Sequence, residues 1–98
     1  MILPSYVVAQ VDPRDADSFD EYKAAVPEVV RAYGGEYLAR GGRFQRLEGR
    51  APLSRHVIMR FPSYDQALAW YNSQEYQHLK ELRAASAPGD IVLIEGLR

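Results

Sequence analysis

The sequence predicts an α+β fold in which helices cover one face of a four-stranded antiparallel sheet. Four short runs rich in β-branched and aromatic residues alternate with two stretches of helical periodicity, in the order strand, helix, strand, strand, helix, strand. Glycine or proline stands at most of the short connections between them. The 98 residues, 47% hydrophobic and 26% charged, suit a single small domain over residues 1–98.

The first strand is predicted over residues 5–12, and Pro13 ends it. The helix that follows has Asp15 or Asp17 near its start and the pair Gly34–Gly35 at its end. Pro27 lies inside this pattern, so the helix either kinks there or begins with a separate turn. The apolar residues of the helix recur at steps of three and four: Phe19, Tyr22, Val26, Val29, Val30 and Tyr33.

The second and third strands are predicted over residues 35–42 and 55–61. Glycines close the second strand, which continues over residues 44–48 past a bulge, and residues 49–52 form a loop.

The second helical stretch begins at Ser63, which forms a capping box with Gln66 and precedes a short helix through Tyr71. Ser73 is a second candidate N-cap. Helical spacing then continues to about residue 85, and the last strand is predicted over residues 90–95. The order βαββαβ with short connections is that of a ferredoxin-like sandwich.

Alternation along the predicted strands divides the sheet into two faces, because successive side chains point to opposite sides. One set is almost wholly apolar or small, and we assign it to the face beneath the helices: Val7, Ala9, Val11, Tyr37, Ala39, Gly41, Val57, Met59, Phe61, Val92 and Ile94. The other set mixes aliphatic and polar residues, and we assign it to the open face, the sheet surface opposite the helices: Tyr6, Val8, Gln10, Glu36, Leu38, Arg40, His56, Ile58, Arg60, Ile91, Leu93 and Glu95.

An aliphatic patch that crosses four strands is larger than a monomer usually exposes. We therefore expect a second copy of the chain to cover the open face, sheet against sheet, in a two-fold homodimer. A ligand would then lie between the two sheets. It would contact some of six side chains of the open face: Tyr6, Gln10, Arg40, His56, Arg60 and Glu95. The alternative is that these side chains form only structural ion pairs and hydrogen bonds, such as one between Arg60 and Glu95.

Several segments of the chain are similar to one known family. They are GGEYLARGG at residues 34–42, LEG at 47–49, the run RHVIMRF through KELR at 55–83, and IVLIEG at 91–96. The sequence resembles, over nearly its whole length, a family of small bacterial proteins named only for a domain of unknown function, the thirteen-thirty family. That family belongs to the dimeric α/β-barrel superfamily. The resemblance implies the fold and the dimer but no reaction, since the superfamily includes cofactor-independent monooxygenases, lactone isomerases, haem enzymes and stress-induced proteins.

Composition and motifs exclude several classes of function. A net charge of -1 gives no electrostatic reason to expect nucleic acid or a membrane as partner, and no apolar run approaches the length of a membrane span. The chain has no cysteine and no secretion signal, so we expect a cytoplasmic protein. His56 and His78 are its two histidines, without metal-ligand spacing, and we expect neither metal nor cofactor. Arg40-Gly41-Gly42 resembles an RNA-binding element, but His56, Ile58 and Arg60 replace the base-stacking aromatics of such a sheet.

Two functions remain open at this level. In the first, the dimer binds a small organic molecule, with Arg60 or Arg40 holding an acidic group and His56 or Glu95 acting as base in a cofactor-independent oxygenation or isomerisation. In the second, the protein is a noncatalytic dimeric module. Trp70, Tyr71 and Tyr76 fit the helical core better than a stacking site, and Arg83 either pairs with Glu75 or Glu95 or holds an anion.

Overall fold

The computed structural model describes residues 1–50 and 54–98. The strands are β1 (Ser5–Val11), β2 (Glu36–Arg40), β3 (Arg55–Phe61) and β4 (Gly89–Glu95). The helices are α1 (Ala16–Ala32), α2 (Tyr64–Tyr71) and α3 (Gln74–Ser86). This order confirms the α+β, ferredoxin-like prediction, with the second helical stretch divided into α2 and α3. The loop predicted over residues 49–52 lies partly outside the described residues.

The four strands form one antiparallel sheet in the order β2-β3-β1-β4. The helices lie on one face, where their apolar sides meet the buried side chains of the central strands. The core combines residues of β1 and β3 with residues of all three helices: Val7, Met59, Phe61, Val26, Val30, Ala67, Trp70, Tyr76 and Leu79. No helix in the described parts of the chain is long and apolar enough to span a membrane.

The helices begin at the predicted caps. Side-chain oxygens of Asp15, Ser63 and Ser73 accept hydrogen bonds from backbone N–H groups three residues further along the chain. Helix α1 runs without interruption through Pro27 and ends before Gly34, whose φ of 82° is the left-handed conformation that glycine adopts without strain.

The two central strands confirm the predicted alternation. Val7, Ala9 and Val11 are buried, and Val8 lies opposite Ile58 on the open face. Directly paired residues of antiparallel strands share a face, so the register shows which face each residue of the adjacent strand occupies.

The sheet face predicted for the last residues of β2 is wrong. A bulge at Leu38 puts Ala39 opposite Ile58 on the open face and Arg40 opposite Val57 on the helix side. The extra residue reverses the alternation beyond it, so Arg40 does not belong to the open face. The continuation predicted over residues 44–48 is also wrong, because the chain leaves the sheet after Arg40.

The strand β4 is confirmed, but the sheet face predicted for each of its residues is wrong. Ile91 pairs with Ala9, and Leu93 pairs with Val7, so both pack under the helices. Val92 and Ile94 lie on the open face, each 55% exposed. Glu95 pairs with Ser5 and therefore has helix-side parity, at an exposed end of the sheet.

Candidate functional site

A cavity lies between the helix side of the sheet and the helices. Its volume is about 40 Å³, which is room for two or three water-sized groups. Residues of all four strands and all three helices line it: Ala9, Val11, Phe19, Tyr22, Lys23, Val26, Tyr37, Arg40, Arg55, Val57, Met59, Trp70, Tyr76, Arg83 and Ile91. The cavity therefore combines an apolar wall with tyrosine hydroxyls and four cationic side chains, and no carboxylate or imidazole is among its lining residues.

Three tyrosines supply the hydroxyl groups of the cavity lining. The Tyr22 and Tyr76 hydroxyls are hydrogen-bonded to each other at 2.9 Å and join α1 to α3. Burial raises the pKa of both groups and that of Tyr37 above the ordinary tyrosine value. For Tyr76, burial outweighs the opposing effects of the Tyr22 hydrogen bond and of the charge and hydrogen bond of Arg83 on its pKa. These phenols are therefore proton donors at neutral pH and not bases.

Two buried N–H groups in the lining lack a partner. Trp70 is 1% exposed and Arg83 is 9% exposed, yet neither the indole Nε1 nor the guanidinium Nε has a hydrogen-bond partner in the described chain. The Arg83 guanidinium is held at its other end, where Nη1 donates to the Ala87 carbonyl at 3.3 Å. Buried polar groups without partners are uncommon, so two in one cavity single it out as the candidate site.

Arg83 forms neither of the ion pairs considered from the sequence. No carboxylate oxygen of the described residues lies within 4 Å of its guanidinium. Glu75 instead accepts a hydrogen bond from the Tyr33 hydroxyl at 3.0 Å. Among the described residues, therefore, no carboxylate neutralises the charge of Arg83.

A shallow depression of about 320 Å³ lies outside the cavity, at the end of the sheet where β2 ends and β3 begins. Phe19, Lys23 and Arg55 line both spaces, so the two adjoin, and we call the depression the mouth of the cavity. The acidic residue in its lining is Asp20, which is bonded to Lys23 at 3.2 Å.

The structure separates the six site residues predicted from the sequence. Tyr6, Gln10, His56 and Arg60 lie on the open face, as predicted. Arg40 lies on the helix side because of the β2 bulge, and Glu95 because the phase of β4 is reversed. The Arg60 guanidinium therefore pairs with Glu36 at 3.4 Å and not with Glu95.

His56 lies beside the ring of Phe44, with 4.3 Å between ring centroids. Neither His56 nor Glu95 lines the cavity, so neither can serve as its base. His78 is exposed, as expected, and is not among the residues that line the cavity. Among the residues that the structure describes, no three histidines, aspartates or glutamates lie close enough together to hold a metal ion.

The sequence analysis missed the cavity residues Tyr22, Tyr37, Arg55 and Arg83 as a group. A signal for two of them was present: Arg55 has the parity of Val57 in β3, and Arg83 follows Tyr76 by seven residues on one helical face. Only the packing of α1 and α3 on the sheet brings these four residues together.

Solved structures with the same fold come from several bacteria. A protein of unknown function from Rhodopseudomonas palustris has a TM-score of 0.78 at 16% identity, over 100% of this chain and 85% of that chain. A dimeric ferredoxin-like protein of unknown function from Thermobifida fusca YX has a TM-score of 0.65 at 14% identity, over 100% and 93%. A cofactor-independent oxygenase from Streptomyces nogalater has a TM-score of 0.63 at 10% identity, over 100% and 96%. At these identities the likeness shows the fold alone.

No curated protein matches the chain. A family model described as a domain of unknown function, DUF1330, matches residues 4–97. This match covers nearly the whole chain and confirms the resemblance stated from the sequence: the chain belongs to the DUF1330 family.

Proposed function

We propose that this protein is a homodimer that binds a small organic molecule with one end in the cavity of each protomer, where Trp70 and Arg83 hold an oxygen atom of the ligand. The carrying observation is the pair of buried, unpartnered N–H groups, Trp70 Nε1 and Arg83 Nε, in one cavity. A ligand oxygen that accepts both hydrogen bonds would satisfy them, and a negative charge on that oxygen would also compensate Arg83.

The chemistry that these groups support is stabilisation of an oxyanion. Trp70, Arg83 and Tyr76 line a small, largely apolar space, where hydrogen bonds to a charged oxygen are strong. The lining has no group that is a base at neutral pH, so the substrate would have to ionise readily by itself, as a phenol or an enol does.

A cofactor-independent oxygenation fits these limits, and the oxygenase from Streptomyces nogalater has this fold. In such a reaction O2 gives one oxygen atom to a substrate carbon, and the other leaves as water with two hydrogens from the substrate. The substrate supplies all the electrons. The cavity would bind the enolate or phenolate that O2 attacks.

The homodimer rests on the open face. An apolar row crosses all four strands in register, from Ala39 through Ile58 and Val8 to Val92. Leu38 and Ile94 extend it, at 53% and 55% exposure. A second copy packed sheet against sheet would cover this row, and the fold neighbour from Thermobifida fusca is dimeric.

A noncatalytic module is the second candidate, favoured by the absence of a base from the cavity lining. In that case the cavity binds a ligand without changing it, or the arginines serve only the fold. In both cases we propose the cytoplasm as the compartment, because the chain has no cysteine.

Titration with phenol, followed by the indole N–H signal in a proton–nitrogen correlation spectrum, tests the proposal. Trp70 is the single tryptophan, so this signal reports on the cavity without assignment. We expect the signal to shift in a saturable way, and Arg83→Met to weaken binding by about tenfold or more. The exposed Arg31→Met is the matched control and should leave binding unchanged.

An unshifted indole signal at saturating phenol would contradict the proposal. Oxygen uptake with resorcinol, an electron-rich phenol, then separates the two candidates. Uptake that Arg83→Met reduces supports an oxygenase, and binding of resorcinol without uptake favours the noncatalytic module.

A further inference from the structure

Two arginines lie where β2 ends and β3 begins, beside the mouth of the cavity. Arg40 ends β2 opposite Val57, and Arg55 begins β3 opposite Val11, so both have the parity of the helix side. Both line the cavity. The Arg40 guanidinium lies over the Tyr37 ring at 4.7 Å, and that of Arg55 lies over the Phe19 ring at 5.4 Å.

The position of Arg40 depends on Pro27. In an ordinary helix the N–H of residue 27 would bond to the carbonyl of Lys23, but proline has no N–H. Arg40 Nη2 donates to that carbonyl at 2.7 Å instead. This bond compensates the helix for its missing partner and fixes the Arg40 side chain against α1 at the cavity.

The position of Arg55 depends on Gly41. A Cβ atom at residue 41 would lie 2.3 Å from Arg55 Nη1, a distance that such atoms do not show. Gly41 also has a φ of 67°, which disfavours any other residue. The glycine therefore leaves the space that the Arg55 guanidinium occupies.

These two cations are together without a counter-ion. No carboxylate of the described chain lies within 4 Å of either guanidinium, and Asp20 at the mouth is bonded to Lys23. Burial lowers the pKa of Arg55, and the nearby charge of Arg40 lowers it further. Arg40 is exposed, so solvent screens part of the repulsion between the two charges, and an anion between them would relieve the rest.

We propose that Arg40 and Arg55 form an anion clamp at the cavity mouth, and that the ligand is a small carboxylic acid whose other end carries the oxygen held by Trp70 and Arg83. This inference rests on the proposed function only for the end of the ligand that Trp70 and Arg83 hold. Guanidinium groups match a carboxylate in shape and charge, and the neighbouring rings of Phe19 and Tyr37 provide apolar contact for the body of the acid.

Titrations with the separate halves of such a ligand, followed by the arginine Nε–H and indole N–H signals, distinguish this proposal from the proposed function. We expect acetate to shift the Arg40 and Arg55 signals and phenol to shift the Trp70 signal. Acetate shifts alone uphold the clamp and contradict the proposed function. Phenol shifts alone overturn the clamp and uphold the proposed function, and the absence of both overturns both.

A ligand that carries both the acid and the phenol gives the size of the expected effect on affinity. We expect 4-hydroxybenzoate to bind about tenfold to a hundredfold more tightly than 4-hydroxybenzamide, and Arg55→Met to remove this preference. A preference that survives in Arg55→Met overturns the clamp.

Gly41→Ala tests the position of Arg55 while its charge is kept. We expect this variant to lose the preference for the acid, because the new Cβ displaces the guanidinium. Gly49→Ala is the matched control: its φ of 89° brings similar backbone strain, but its Cβ would contact none of the described residues. Equal preferences in the two variants would contradict the proposed placement of Arg55.

Discussion

The two faces of the sheet differ in whether their arginines have carboxylate partners. On the open face the charges lie beside an apolar row, and Arg60 has a carboxylate partner in Glu36, with both side chains about half exposed. On the helix side Arg40, Arg55 and Arg83 have no carboxylate partner among the described residues. A net charge of -1 for the whole chain therefore conceals a local surplus of positive charge. Overall charge excludes a polyanionic partner better than it excludes an anionic ligand.

The largest effect is expected on the open face. Ile58→Asp places a charge in the centre of the apolar row, so a dimer through this face would lose about 3 kcal/mol or more of association energy. We expect light scattering at micromolar concentration to return the 11.1 kDa monomer for the variant and a dimer for the natural chain. Leu47→Asp is the control, since Leu47 is 86% exposed outside the sheet. A monomeric natural chain would show that the open face needs no cover.

A smaller effect is expected in the tyrosine pair of the cavity. Tyr76→Phe removes one side of the hydrogen bond to Tyr22 and should lower the free energy of unfolding by about 1 kcal/mol. Urea denaturation measures it, and Tyr64→Phe, at an exposed position, should change stability by much less. Equal losses in the two variants would mean that the buried pair adds no stability.

Arg55 and Arg60 lie on the same strand but on opposite faces, and they sharpen the comparison. Arg60→Met loses an exposed ion pair and should cost at most about 1 kcal/mol. Arg55→Met removes a partly buried charge beside Arg40, and solvent screens that charge, so its stability should be unchanged or slightly raised. Thermal unfolding of the two variants checks the signs. A clear loss of stability in Arg55→Met would show that the charge serves the fold.

The smallest effect lies away from both faces, at Glu75. Hydrogen bonds from its own backbone N–H and from the Tyr33 hydroxyl hold the pKa of this carboxyl below its ordinary value. Because the folded pKa is the lower one, the contribution of Glu75 to stability is present above the unfolded pKa and is lost as pH falls through the folded pKa. Tyr33→Phe should raise the pKa of Glu75 in an NMR titration, and an unchanged titration would contradict the role of Tyr33.

The sequence was sufficient for the order of the elements and for the faces of β1 and β3, because apolar and polar residues alternate there. It was insufficient for the two edge strands, for different physical reasons. In β4 the run from Ile91 to Ile94 is entirely aliphatic, so it does not show which of its residues face the helices. In β2 the alternation is broken by the bulge at Leu38, and an extra residue cannot be recognised without the partner strand.

These two errors also decided the predicted site. Tyr6, Gln10, His56 and Arg60 belong to central strands and were assigned to the correct face, whereas Arg40 and Glu95 come from the edge strands and were not. Binding of a ligand by the four open-face residues stays a prediction. The cavity depends on contacts of Trp70, Tyr76 and Arg83 with the sheet, and periodicity within one helix does not specify these contacts.

The bond from Arg40 to the Lys23 carbonyl has a consequence for how the family varies. If Pro27 were replaced, the helix would regain its own N–H for that carbonyl, and Arg40 would lose its acceptor. If Arg40 were replaced, the carbonyl would be left without a donor. Positions 27 and 40 should therefore change together among relatives, and each single change should be tolerated less well than the pair. A proline that weakens a helix in isolation would then persist because a distant arginine requires it.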